Sequence, residues 1–194
     1  MTTSTPRQDG NTARRRGTRA LVIDAAVRLV ASRGFSATSV DDIAAEAGVA
    51  KGSVYYNFTS KSDILEAALD EGTARLRAAL SEARDAAPDA GRVDAMVRAL
   101  LVAVHSYPDL AKLLAAEVFR AEREWQQSIA QLRAETISMF ALEIRARRPG
   151  EDVSLVAAAV FGATLVAGLE WLVFQPDRTL DEVHASVRSL TSSL

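Results

Sequence analysis

Apolar residues recur along most of this chain at spacings of three and four, the period of an amphipathic helix, and no run alternates convincingly as a half-buried strand would. Leu21, Ala25, Ala26, Leu29 and Val30 predict a first helix from about Gly17 to Ser32. Gly34 suits its end, with Phe35 packing back onto the apolar face. Val40, Ile43 and Ala44 form a second, shorter face. Thr38 or Ser39 is its cap, and Asp41 and Asp42 fall in its first turn, complementing the positive end of the helix dipole. Val54, Tyr55 and Phe58 form a third face on a helix of about Lys51 to Phe58, which places Tyr55 in the core. Gly48 separates the two short helices where a sharp exit favours positive φ. Ser60, with Asp63 at the capping-box position, opens a long fourth helix that carries Ile64, Leu65, Ala68, Leu69, Leu76, Ala79, Leu80 and Ala83 on one stripe and ends before Pro88.

Prolines divide the rest of the chain. A helix of about 92–105 comes after the APDAG loop, a short one runs from Pro108 toward Phe119, and a long one stops at Pro149-Gly150. The next runs from about Asp152 to Phe174, and a last one from Thr179 or Asp181 to about Ser192. The fold class is all-α, with about nine helices and no internal repeat. Ser154 to Leu169 carries no charge, yet it is shorter than the roughly 18–20 apolar residues of a membrane span and ends at Glu170. A helix buried in protein is the expectation, with no membrane partner. Ala159, Ala163 and Ala167, beside Gly162 and Val166, make a smooth strip that lets another helix approach closely. With Val183, Val187 and Leu190 of the final helix it predicts a four-helix interface between two copies of the chain.

The two short helices, joined through Gly48, have the layout of a helix-turn-helix whose second helix enters a DNA major groove. Charge agrees with that layout. The net charge is −2, but residues 1–61 hold nine Lys/Arg against five acidic residues, netting +4, and the remainder nets −6. There is no cysteine, which excludes disulfides, thiolate metal sites and thiol nucleophiles. Residues 1–16 are Thr, Ser, Gly, Asn and Arg with almost no apolar side chain, so they are expected to form a disordered basic arm. Arg14, Arg15, Arg16 and Arg19 either reach a groove or phosphates, or are simply solvated. Among polar residues near the turn, Thr38 and Lys61 suit phosphates at helix starts, and Lys51, Ser53, Tyr56 and Asn57 suit the exposed face of the reading helix. Gly52 allows close approach to DNA. The ring of Tyr56 either packs or reaches outward with its hydroxyl.

The stretch Arg33-Gly34-Phe35, Thr38-Ser39-Val40, Asp42-Ile43-Ala44, Ala47-Gly48-Val49, Lys51-Gly52-Ser53, Tyr55-Tyr56, Phe58 and Lys61 resembles the DNA-binding domain of the TetR/AcrR family of bacterial transcriptional regulators. The resemblance is ungapped over roughly residues 17–65. It departs from the family at Asn57, where His is usual. It implies DNA contacts at Thr38, Lys51, Gly52, Ser53, Tyr56 and Lys61, a domain at 17–62, and an effector-binding and dimerisation domain at 63–194.

No enzyme is expected. His105 and His184 fall on different helices, and neither has metal-ligand spacing, so no metal or cofactor is expected either. His105 reads equally as a capping or surface residue. Glu117, Glu122 and Glu124 with Arg120 and Arg123 read as a solvated face. If the family pattern holds, the second domain carries a cavity. Its expected walls are Met96, Leu100, Val104 and His105 on one helix, with Leu114, Phe119, Trp125, Phe140 and Phe161 from later ones, all of which read equally as ordinary core. The set is apolar and points to a hydrophobic or amphipathic small-molecule effector. The resulting expectation is a cytoplasmic homodimeric repressor, released from a pseudo-palindromic duplex operator by that effector. An activator, or a ligand-independent architectural DNA-binding protein, is the alternative.

Overall fold

The computed structural model describes residues 9–117 and 125–191, with side chains from Arg16 onward. Among these residues nine α-helices and one 3-10 turn account for the regular structure, and there is no strand. They are α1 (Asp9–Arg33), α2 (Val40–Glu46), α3 (Lys51–Asn57), α4 (Lys61–Ala86), α5 (Arg92–Ser106), α6 (Pro108–Glu117), α7 (Gln126–Arg147), α8 (Ser154–Phe174) and α9 (Leu180–Thr191), with the 3-10 turn at Asp89–Gly91. The all-α expectation holds. One boundary is corrected: α1 begins at Asp9, not Gly17, so residues 9–16 are helical rather than an unstructured arm. Ala13 and the three arginines after it are strong helix formers, and they extend a helix already nucleated by the packed turns beyond them. Phe119 and the 120–124 charges lie outside the described residues.

The chain divides into two compact units after Ala68. In the first, Val22, Ala25, Ala26, Leu29 and Val30 of α1 pack with Ile43 and Ala44 of α2, Val54 of α3, Phe58, and Ile64, Leu65 and Ala68 at the start of α4. In the second, the core gathers Leu80 of α4, Met96, Val97, Leu100, Leu101 and Val104 of α5, Phe140 and Ile144 of α7, and Ala157, Val160, Phe161 and Trp171 of α8. Close approach is set by Gly168. A Cβ there would lie 2.8 Å from Val104 Cγ1, so α5 and α8 meet where one of them has no side chain.

Two readings of the last helices need correction. Helix α8, expected to be buried all round, has only about a third of its most apolar stretch buried; its 21 residues are long and apolar enough to cross a membrane by length and composition alone. Its inner face packs in the core beside α5, α7 and α9; its outer face does not. Val183 and Val187 of α9, expected on the intersubunit surface, are instead buried in the chain's own core. They share a face at i and i+4, and a helix of this length has one strongly apolar face to bury. Leu190 alone of that predicted trio is exposed.

Candidate nucleic-acid interface and ligand cavity

The first site is assembled by the corners of the small unit. Gly34 (φ +83°) closes α1, its amide donating to Val30 O, and Gly48 (φ +66°) turns the chain out of α2. Both backbone conformations favour glycine. Ser39 is the N-cap of α2. Its hydroxyl accepts from the Asp42 amide at 3.1 Å, and the Asp42 carboxylate accepts from the Ser39 amide at 2.9 Å and the Ser39 hydroxyl at 2.6 Å. These bonds, the side-chain one first, hold the Asp42 carboxyl below the ordinary aspartate range. At α4, Ser60 Oγ accepts from the Asp63 amide, and the Asp63 carboxylate accepts from Thr59.

Helix α3 presents Lys51, Gly52, Tyr55 and Tyr56 to solvent, with Ser53 half-buried. A Cβ on Gly52 would meet nothing within 4 Å, so this turn is smooth and open. Tyr56 is 70% exposed. Tyr55, expected in the core, is 52% exposed. Val54 and Phe58 share the buried face at i, i+4, and Tyr55 lies about 100° round the helix from Val54, on its flank. Lys51 Nζ lies 2.7 Å from Asp41 Oδ1, a pair that ties the start of α3 to the first turn of α2 and raises the lysine's pKa.

Four residues expected to touch DNA are engaged within the unit. Thr38 is 2% exposed, and its hydroxyl donates to Gly34 O at 2.9 Å; it braces the corner, and its neighbour Ser39 caps the helix. Lys61 donates to Phe35 O and Thr38 O and lies 3.9 Å from the Phe35 ring centroid, so its ammonium fastens the start of α4 to the same corner. Asn57 donates from Nδ2 to Ser53 O at 2.8 Å, closing α3 on its own backbone, while its Oδ1 is buried without a hydrogen bond. Arg19 sets its guanidinium 5.3 Å over the Phe58 ring. Carbonyls exposed at a tight corner and aromatic faces offer these polar groups partners that a linear reading does not show.

The second site is a cavity of about 500 Å³ in the larger unit, lined by α4 through α8. Leu100, Val104, Leu114 and Phe161 line it as expected. Met96 and Phe140 do not; both are fully buried in the adjoining core. Trp125 is buried away from the wall, and His105 is exposed and stacks on Trp171 with ring centroids 4.3 Å apart. Apolar periodicity marks core and cavity wall alike, which is why the two were mixed. The wall also holds Leu76, Leu110, Ile129 and Leu132, with Arg75, Glu82 and Arg133. One signal for it was present: Gly72 breaks the apolar stripe of α4. A Cβ there would stand 2.8 Å from Leu110 Cδ2, so the wall keeps its shape because that position carries no side chain. Glu117, read as part of a solvated face, is also buried.

A third surface is apolar and has no partner among the described residues. Along the outside of α8, Leu155 is 82% and Val166 65% exposed, with Ala159 beside them and Gly162, Ala163 and Ala167 half-buried.

Residues 22–68 match the family model described as bacterial regulatory proteins, tetR family. That segment contains the whole of the corner–helix–turn–helix arrangement, so the likeness to this family falls on the small unit. Among curated relatives, the HTH-type transcriptional regulator SrpR of Pseudomonas putida is 38% identical over 92 residues, which cover 46% of this chain and 40% of that protein. The chain thus spans less than half the length of that relative. Among solved structures, the fatty acid degradation regulator FadR from Bacillus halodurans superimposes with a TM-score of 0.78 at 22% identity, covering 89% of this chain and 93% of that one. The transcriptional regulator FadR from Bacillus subtilis, in complex with stearoyl-CoA, gives 0.73 at 23%, covering 88% and 96%. At these identities the structural likeness establishes the fold.

Proposed function

We propose that this chain is a DNA-binding transcriptional regulator that acts as a homodimer in the cytoplasm and is released from a duplex operator by a small hydrophobic or amphipathic effector. The observation that carries the reading is the outward face of α3. Gly52 and the exposed Tyr56 stand on a helix of seven residues whose orientation is fixed by Gly48, the Lys51–Asp41 pair and the buried Val54. A short helix held this firmly suits insertion into a major groove, where a few side chains read base edges. Lys51 supplies charge for phosphates, exchanging Asp41 for a phosphate oxygen. Ser53 and Tyr56 are the side chains assigned to base or backbone contacts.

The bare outer strip of α8 supports dimerisation, and two copies carry two reading helices to a symmetric site. The cavity supports control by a ligand. An effector lowers operator affinity only by binding more tightly to the conformation that holds DNA less well, and coupling of about 1–3 kcal/mol is typical. The test is selection from a random duplex pool with the full chain. The reading expects a shared pseudo-palindrome with half-sites one or more turns of about 34 Å apart. Recovery of no common symmetric sequence would remove it.

A further inference from the structure

We infer that the cavity takes an amphiphile with an anionic head group, whose chain lies along the apolar wall and whose charge is met by Arg133. The inference rests on the reading of the larger unit as effector-binding and narrows it to a ligand class.

The wall is almost wholly aliphatic and aromatic, but it is electrically lopsided. Two ion pairs give the alignment of α4 with α7: Arg77 with Glu135 at 3.6 Å and Arg84 with Glu143 at 4.0 Å. The partners differ by 58 residues in one pair and 59 in the other, so the two helices run in the same direction. That register sets Arg133 level with Arg75 to within about a turn, both on the cavity wall. Glu82, the one carboxylate on that wall among the described residues, lies seven residues beyond Arg75 along α4, roughly 10 Å away at 1.5 Å per residue. One end of the cavity therefore carries two guanidiniums and the other a carboxylate.

The two arginines are not equivalent. Arg75 lies 5.1 Å from the Tyr107 ring centroid and 4.0 Å from Glu71 Oε2. Arg133 has no ion pair or hydrogen bond among the described residues. Its guanidinium stays charged at any working pH. Arg133 is exposed at the edge of the cavity, so its guanidinium is hydrated in the free protein. A carboxylate or phosphate on a ligand whose chain enters the cavity replaces that water with two parallel charge-assisted N–H···O bonds. A neutral head group makes weaker bonds there, and a cationic one adds repulsion.

Chain-matched probes separate the possibilities: dodecanoate, 1-dodecanol and dodecylamine, each below its aggregation limit, titrated into the full chain by calorimetry. Dodecanoyl-CoA is a further arm, whose thioester is neutral and whose charge lies on the phosphates beyond the pantetheine arm, so comparison with dodecanoate distinguishes a phosphate source from a free carboxylate. Dodecanoate or dodecanoyl-CoA is expected to bind at least about tenfold more tightly than dodecanol, with dodecylamine weakest. Arg133→Gln should reduce the anion's affinity to that of the alcohol and leave the alcohol unchanged. Arg133→Glu should invert the order toward the amine. Arg133→Lys should keep the anion preference in part. Equal affinity for all three head groups, or an unaltered preference in Arg133→Gln, would overturn the inference while leaving the cavity as an effector site. Failure of every probe to bind a protein that circular dichroism shows to be folded would overturn both.

Discussion

The two units use their polar side chains in opposite ways. In the small unit, Thr38 and Lys61 point into the corner, and Ser39 and Asn57 bond to the ends of helices of seven residues, which are too short to be stable by propensity. Most of the proposed DNA-binding face is left to Lys51, Gly52, Ser53 and Tyr56. In the larger unit the helices are long and hold their shape by apolar burial, and charged side chains stand at the edge of a cavity or bridge helices, as Arg84 and Arg92 do around Glu143. The contrast teaches that a polar residue near a binding surface supports it as often as it forms it. Only its hydrogen-bond partners decide which.

The comparison can be broken most severely at the outer face of α8. Ala163→Arg puts an unpaired charge into the proposed contact between copies, and light scattering should report a halved mass with helix content retained. Val187→Ala, on the inner side of α9, should leave the mass unchanged and lower unfolding stability by about 2 kcal/mol. Identical masses for all three proteins would move the interface elsewhere. Next in size is the cavity. Leu100→Trp fills it from α5 and should reduce ligand affinity more than about tenfold while operator affinity stays within twofold, as read by titrating both in parallel.

Lys61 sharpens the contrast at smaller scale. If it fastens the corner, Lys61→Ala should weaken operator binding several-fold and leave the salt dependence of affinity unchanged. A phosphate contact would instead lower the slope of log affinity against log salt by about 0.9. The smallest effect belongs to the cap. Ser39→Ala should cost about 1 kcal/mol of stability. The Asp42 carboxyl is held below its ordinary value, near 3.9 in the unfolded chain, so its stabilisation is present above that value and fades as pH falls through its own lower one. Thermal unfolding between pH 6 and pH 3 should show a shallower acid loss in Ser39→Ala than in the parent.

Element type and order were legible because helix period, caps and prolines are local signals. Gly34, Gly48 and Ser39 could be assigned from sequence since each turn or cap requires a residue of that kind. The same locality explains the failures. The partners of Lys61 are 23 and 26 residues away, and those separations are invisible to spacing arguments. Asn57 offered an amide to solvent in the sequence and gives it to Ser53 O in the fold. Burial of Val183 and Val187 depends on which side of α9 meets α5 and α8, and an amphipathic pattern does not say what covers its apolar side. Cavity walls are harder still: Met96 and Leu100 are both apolar residues of one helix, yet only Leu100 borders the space.

The central claim, that the exposed face of α3 reads duplex DNA, is tested most directly by fluorescence anisotropy. The selected site and a scrambled duplex of the same composition are compared between about 50 and 200 mM salt, with the parent chain and Tyr56→Ala. Both duplexes should be bound less tightly as salt rises, because phosphate contacts release counterions. The preference for the selected site should remain at about 10³-fold or more in the parent and shrink in Tyr56→Ala. Equal affinity for both duplexes at every salt concentration would contradict the account.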